Sequence, residues 1–209
     1  DDLVRMTVHK VGQTIAEGVG LVFLVLILFL GSARSALVVA VTVPLALVSV
    51  FTLLNLTGVS ANLLSLGAID FGILVDGAIV VTEAVLRRRE ADPDEELSES
   101  EVKAATLQVM RPIFFASLII ITTYLPMFSF ERAEAKLFTP MAYTMGYALF
   151  GALAATLTLV PGLAYFAFRM PRRVFHNVWL EKLTDGYDRV LETCLAQPRI
   201  IYAVVALAL

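Results

Sequence analysis

The stretch from Leu66 to Glu83 reads LGAIDFGILVDGAIVVTE, with carboxylates at Asp70, Asp76 and Glu83 among mostly apolar residues. In a continuous helix, Asp70 and Asp76 would lie about 9 Å apart along the axis and about 120° apart around it. Glu83 would follow Asp76 by about 10 Å on nearly the same face. A carboxylate at bilayer depth costs about 2.5–3.5 kcal/mol on insertion scales. Because a carboxyl group loads and releases a proton as its surroundings change, three of them in one crossing favour a proton relay.

The rest of the chain is unusually apolar. Of its 209 residues 58% are hydrophobic and 17% are charged, and the mean hydropathy is +0.81. Soluble domains are typically about half apolar and about a quarter charged. The excess lies in long runs without charge, which predicts membrane-spanning helices.

Composition also excludes several function classes. The net charge of -3 leaves no basic surface for nucleic acid. A single cysteine, Cys194, cannot form an intrachain disulfide, and His9 and His176 are isolated, so no zinc-type cluster is present in the sequence. Neither a metal-ligand set nor a cofactor motif is predicted.

The apolar runs and turn signals predict an all-α membrane protein built as a polytopic helix bundle. The predicted spans lie at about 13–33, 36–54, 61–86, 112–130, 139–168 and 199–209. Apolar residues recur at three- and four-residue steps over 174–196, which predicts one amphipathic helix on the membrane surface. The chain begins without Met and ends inside an apolar run, so we expect a piece of a longer protein.

Local signals mark several helix ends. Gly58 suits a turn between the second and third spans, and Ser98 or Ser100 could cap the next helix with Glu101 in its first turn. Pro126 is expected to kink the fourth span or loosen its last turn. The pair Thr139-Pro140, after a short charged loop at 131–136, predicts the start of the fifth span.

Lysine and arginine set the orientation. The segments holding Arg34, Arg87–Arg89 and Arg169 alternate along the chain with segments poorer in these residues. Since cytoplasmic loops carry the excess of positive charge, the rich segments are predicted to be cytoplasmic.

Other features of the third span have structural interpretations. Gly67, Gly72 and Gly77 are expected to let neighbouring helices approach closely. Glu83 could instead form an ordinary ion pair with Arg87, four residues further on. Each aspartate could also serve only as a buried hydrogen-bonding group.

Residues 62–72 (NLLSLGAIDFG), together with 75–78 (VDGA) and Glu83, resemble the fourth transmembrane helix of heavy-metal efflux pumps, a family of the resistance–nodulation–division (RND) superfamily. Residues 17–34, 111–126 and 138–142 are similar to its second, fifth and sixth helices. On this match the chain covers helices two to six, the surface helix and the start of helix seven of one half of the transporter, without the large periplasmic domains.

The resemblance implies a function. It assigns Asp70 and Asp76 as intramembrane aspartates and Glu83 as the glutamate at the helix end; Ala84 stands where the family usually has Asn. It implies proton-driven efflux of divalent heavy-metal cations of the zinc, cobalt, cadmium and nickel type, by a multi-pass protein of the bacterial inner membrane. It further implies a homotrimer that joins a periplasmic adaptor and an outer-membrane channel. The lysine that pairs with the intramembrane aspartates would come from the half of the pump absent here.

Three other functions compete with this interpretation. An RND pump for organic compounds would share the fold and the acidic residues. A non-transporting receptor or assembly protein of similar fold would not need the acids. An intramembrane aspartyl protease needs two aspartates on different helices, whereas Asp70 and Asp76 lie in one predicted span.

Overall fold

The computed structural model describes residues 2–59, 70–92, 95–170 and 178–196. Within these ranges the chain is helical and forms no strand. The elements in chain order are α1 (Asp2–Leu30), α2 (Ala33–Ala40), α3 (Thr42–Thr57), α4 (Phe71–Ala91), α5 (Glu99–Thr123), a 3₁₀ helix (Leu125–Ser129), α6 (Arg132–Phe168) and α7 (Val178–Ala196). The all-α prediction is confirmed.

Three helical stretches of the described residues are long and apolar enough to cross a membrane: Ala33–Thr57, Glu99–Ser129 and Glu134–Phe168. The apolar part of α1, Ile15–Leu30, is a shorter apolar segment. Helix α4 is not in this group because Asp76, Glu83 and the arginines near its end place more than two charged residues in every 18-residue stretch of it. The crossings themselves stay predictions drawn from length and composition.

The polar residues at the start of the chain and the first apolar run form one continuous helix. Helix α1 has 29 residues, a length of about 44 Å at 1.5 Å per residue. It ends at Gly31, whose φ of 62° is a left-handed conformation that glycine adopts without steric cost. The helix therefore ends at this point, and α2 begins at Ala33.

A break at Val41 separates α2 from α3. Pro44 lies three residues later and explains it, since proline has no N–H to donate and its ring crowds the carbonyl of Ala40. Helix α3 then runs to Thr57 and ends at Gly58, which is left-handed with φ 69° and ψ 13°. The turn predicted at Gly58 is confirmed.

Two further signals in the sequence have the predicted effect. Ser98 caps α5 in a reciprocal capping box with Glu101, which satisfies two backbone donors that a helix start leaves free. Pro126 lies in the 3₁₀ helix that follows the end of α5 at Thr123, so the last turn is loosened as expected.

The helix start predicted at Thr139-Pro140 is wrong. Helix α6 begins at Arg132, so the supposed loop 131–136 is mostly helical and Pro140 lies inside the helix. Proline costs one backbone hydrogen bond there without ending a helix of 37 residues. The Thr144 hydroxyl donates to the Pro140 carbonyl at 2.8 Å.

Parts of three predicted elements lie outside the described residues. For the span predicted at 61–86, the structure describes α4 from Phe71, and this helix continues to Ala91. The whole of 199–209 and the first residues of 174–196 are also outside them. Helix α7 carries the exposed apolar side chains Tyr187, Val190, Leu191 and Leu195; its place on a membrane surface stays a prediction.

The α4–α5 connection and the end of α6 meet at one end of the bundle. The Leu97 side chain is buried there, and its N–H donates to the Arg169 carbonyl at 3.3 Å. Arg89 is also buried and donates to the carbonyls of Asp92 and Glu95. Two of the arginine-rich segments predicted to be cytoplasmic are therefore on the same side of the fold.

Helix α6 packs closely against α3 through small residues. A Cβ atom at Gly151 would overlap the Ser49 side chain and lie 3.3 Å from the Ala46 Cα. Helices come this close only where one of them lacks a side chain. Gly151 therefore fixes the distance between α3 and α6.

Replacing Gly151 by alanine should destabilise the protein by about 1–3 kcal/mol, because the added methyl group forces the two helices apart. Gly162→Ala, on the same helix, is the matched control, since nothing lies within 4 Å of a Cβ there. Thermal unfolding of the detergent-solubilised transporter measures both. Equal melting temperatures for the two variants would contradict the assignment.

Candidate functional site

Asp70 is the N-cap of α4 rather than part of a helical turn. Its backbone is extended, with φ -86° and ψ 102°, and its Oδ1 accepts a hydrogen bond from the Gly72 N–H at 2.8 Å. A continuous helix through Asp70 is therefore wrong, and the spacing calculated for Asp70 and Asp76 on such a helix does not apply. A cap of this type stabilises a helix by about 1 kcal/mol.

Phe71, the next residue, anchors this helix start on α1. A Cβ atom at Gly18 would lie 2.5 Å from the Phe71 Cε2 and 2.7 Å from its Cδ2, so only glycine accommodates the ring. The contact ties the backbone beside Asp70 to α1. The sequence contained both residues, but only the tertiary structure brings them together.

Asp76 and Glu83 do lie on one helix, with α4 continuous between them. Seven residues correspond to about 10 Å of rise and nearly two full turns, so the two carboxylates share a face. Asp76 is exposed, whereas the adjacent Leu74 and Val75 are buried. Helix α4 thus turns its acidic face away from the core of this chain.

Glu83 has a cation partner within the chain. Arg87 donates from Nε at 3.0 Å and from Nη2 at 2.6 Å to the Glu83 Oε1. The i,i+4 ion pair weighed as a structural explanation of Glu83 is therefore present. The other ion pairs among the described residues link Arg88 to Asp92 and Glu101, and neither Asp70 nor Asp76 takes part in one.

The three glycines singled out in the sequence have different surroundings. A Cβ at Gly77 would lie 3.0 Å from Ile113 Cγ2 and 3.2 Å from Thr156 Cγ2, so α4, α5 and α6 meet there, beside Asp76. At Gly72 the nearest atom would be Asp70 Oδ1, at 3.1 Å, with no atom of another described helix among the contacts. Gly67 lies outside the described residues. Helix packing at Gly67 and Gly72 stays a prediction.

Two buried hydroxyl groups near the site were missed from the sequence. Ser35 Oγ and Thr82 Oγ1 are buried and have no hydrogen-bond partner in the described part of the chain. Thr82 precedes Glu83 on α4, and Ser35 lies on α2, which packs against α4. Most buried hydroxyls in helices bond to a carbonyl one turn back, as Thr106 does here, and no sequence signal distinguishes the exceptions.

The described residues contain no group of three or more His, Cys, Asp or Glu side chains placed to hold a metal ion. The three acids are instead spread along α4 and its N-cap. Their arrangement, two acids on an exposed helix face and a third at the helix cap, suits reversible protonation.

Comparison with known proteins gives concordant matches. The whole chain, residues 1–209, matches the model of the AcrB/AcrD/AcrF family. It is 37% identical, over 99% of its length, to the cobalt-zinc-cadmium resistance protein CzcA of Cupriavidus metallidurans. It is 35% identical, over 94% of its length, to the nickel and cobalt resistance protein CnrA of the same organism.

A solved structure gives the same result. The crystal structure of a heavy metal efflux pump matches with a TM-score of 0.68 and 57% sequence identity over 78% of this chain, which is 16% of that protein. The chain spans about a fifth of the length of the curated relatives.

The contact between Gly18 and Phe71 can be tested by compensation. Gly18→Ala should push the Phe71 ring away, disturb the cap at Asp70 and lower the melting temperature, whereas Gly20→Ala on the same helix should not, since nothing lies within 4 Å of a Cβ there. Adding Phe71→Leu to Gly18→Ala should restore much of the loss, because the smaller side chain leaves room for the methyl group. Strictly additive effects of the two changes would contradict the contact.

Proposed function

Because this chain belongs to the AcrB/AcrD/AcrF family, and within it to the heavy-metal efflux proteins of the RND superfamily, we propose that it is part of the membrane domain of a proton-driven exporter of divalent heavy-metal cations. Members of this family are secondary transporters rather than enzymes. The proposed substrates are zinc, cobalt, cadmium and nickel ions. We place the protein in the bacterial inner membrane, as a homotrimer that works with a periplasmic adaptor and an outer-membrane channel.

The arrangement of Asp76 and Glu83 is the observation that carries the proposal. Both lie on one face of α4, and Asp76 points away from the apolar core while Leu74 and Val75 point into it. A carboxylate in a predicted membrane helix is costly unless it is protonated or paired. A group that alternates between these two states takes up a proton on one side and releases it on the other.

In the proposed cycle, Asp70 and Asp76 are the proton-binding groups and Glu83 is the acid nearest the cytoplasmic end. No cation of the described residues pairs with Asp70 or Asp76. We infer that a lysine or arginine from another part of the full-length protein approaches the exposed face of α4. Its approach would favour the ionised aspartate and release the proton, and its withdrawal would favour proton uptake.

Neutralising the aspartates tests this role. Asp76→Asn and Asp70→Asn in the full-length transporter should each reduce metal resistance to the level of cells without the pump, at unchanged membrane abundance. Asn caps helices as well as Asp does, so Asp70→Asn removes the charge but keeps the cap. Glu83→Gln should have a smaller effect, because the two proton-binding aspartates remain ionisable and can still pass protons directly to water.

The control is Glu90→Gln, which neutralises an exposed carboxylate near the end of the same helix and should leave resistance unchanged. The same four variants can be compared by their metal-dependent proton flux in liposomes, which does not depend on cell growth. Full resistance and flux with both aspartates neutral would refute the relay.

The substrate class is tested by measuring which toxic metals and organic compounds the transporter protects cells against. Cells that depend on the full-length transporter should survive zinc, cobalt, cadmium or nickel at concentrations several-fold higher than cells without it, and should gain little against dyes. Support comes from the relatives named for resistance to these metals. Protection confined to organic compounds would instead favour the organic-compound pump.

A further inference from the structure

A cavity of about 780 Å³ lies between α4 and α5. It is at the end of the bundle where α4 terminates, and Glu83 forms part of its wall. Small side chains leave the space open, among them Ala84 on α4 and Ala104 on α5. The cavity is therefore next to one of the three acids of the proposed relay.

The cavity is lined by charged groups in matched pairs. Glu83 is paired with Arg87 at 2.6 Å, and Arg88 joins α4 to α5 by donating to Glu101 at 2.8 and 3.1 Å. Two positive and two negative side chains cancel, so neither an anion nor a metal cation finds an excess of opposite charge. An apolar occupant such as a lipid chain would strip these four charges of solvent at high cost.

Water is the occupant that fits. At about 30 Å³ per molecule, the cavity has room for on the order of 25 water molecules, and Ser100 and Gln108 supply further hydrogen-bonding groups in its wall. The wall extends along α4 as far as Val80, which lies within the predicted third span. Water in the cavity would therefore reach past the charged loop and into the depth of the bundle.

We propose that this cavity is a water-filled vestibule, open to the cytoplasm, through which protons leave the relay at Glu83. Protonated Glu83 transfers its proton to a vestibule water, which gives a carboxylate and a hydronium ion. The carboxylate then re-forms its ion pair with Arg87, which stays positively charged throughout. This inference rests on the proposed proton relay and adds the route by which the proton leaves it.

The two ion pairs in the cavity wall have different roles. The pair of Glu83 and Arg87 is 43% and 75% exposed at its side chains, so solvent reaches both groups. The pair of Arg88 and Glu101, with the capping box at Ser98, holds the start of α5 against the end of α4. This second pair fixes the width of the vestibule at its mouth and takes no part in proton transfer.

Hydration is tested in the full-length transporter with its native cysteines replaced, Cys194→Ser included. Val80→Cys lies on the cavity wall, and Ile79→Cys is its neighbour at the same depth but outside the wall. In inside-out vesicles a charged, impermeant thiol reagent should modify Val80→Cys at least tenfold faster than Ile79→Cys. Equal rates would overturn the vestibule whether or not the relay is correct.

The proton route is tested by filling the cavity. Ala104→Phe places a ring in it, whereas Ala116→Phe places the same ring on an exposed part of α5 outside the wall. Ala104→Phe should slow the labelling of Val80→Cys and reduce metal-dependent proton flux at least fivefold, and Ala116→Phe should do neither. If the ring blocks labelling but leaves flux unchanged, the vestibule is hydrated but protons do not use it, and the proposal is wrong.

These outcomes separate the vestibule from the relay. If the Asp76→Asn variant keeps its metal-dependent proton flux, the proposed function is wrong. The labelling rates of Val80→Cys and Ile79→Cys do not depend on that result, because they report only where water enters. If Ala104→Phe is poorly expressed, the labelling of Val80→Cys in the otherwise native transporter still decides the question of hydration.

Discussion

The close contact of α6 with α3 and α4 is the constraint on which the rest of the structure depends. Gly151 meets Ser49 on α3, and Thr156, little more than one turn further along α6, meets Gly77 on α4. Because glycine has no side chain, the helix axes approach until small groups touch, and the distances between three helices are fixed at two points. Gly77 thus faces α5 and α6, whereas Asp76 beside it is exposed.

This orientation is consistent with the relay role proposed for the acids. Leu74 and Val75 fill the core, and the carboxylates of Asp76 and Glu83 are kept out of it. Had these acids pointed into the core, they would lie among buried aliphatic side chains and stay permanently neutral. On the outer face, other parts of a full-length transporter can approach them, as the proposed cycle requires.

The two ends of α4 are held by different forces. At its start, the Asp70 cap and the Phe71 ring on Gly18 fix where the helix begins. At its end, buried Arg89 binds carbonyls of the connecting loop, and Leu97 links that loop to the end of α6. Both ends of α4 are therefore tied to other helices, and the carboxylates of Asp76 and Glu83 lie between these two attachments. The cavity lies beside the second of these ends, where Arg88 and Glu101 join α4 to α5.

The sequence by itself determined the all-α class, the turn at Gly58, the cap at Ser98 and the ion pair of Glu83 with Arg87, because each depends on residues within one or two turns of each other. It also supplied the resemblance that identified the family. It misplaced the start of α6, since packing along the bundle outweighs the local preference of a Thr-Pro pair. It did not show that Asp70 is a cap, that Gly18 receives Phe71, or that a cavity adjoins Glu83. The cap joins neighbouring residues, Asp70 and Gly72, but it lies inside an apolar run that reads as one continuous helix. The other two features join residues far apart in the chain, so only the tertiary structure, which sets the distances between helices, decided them.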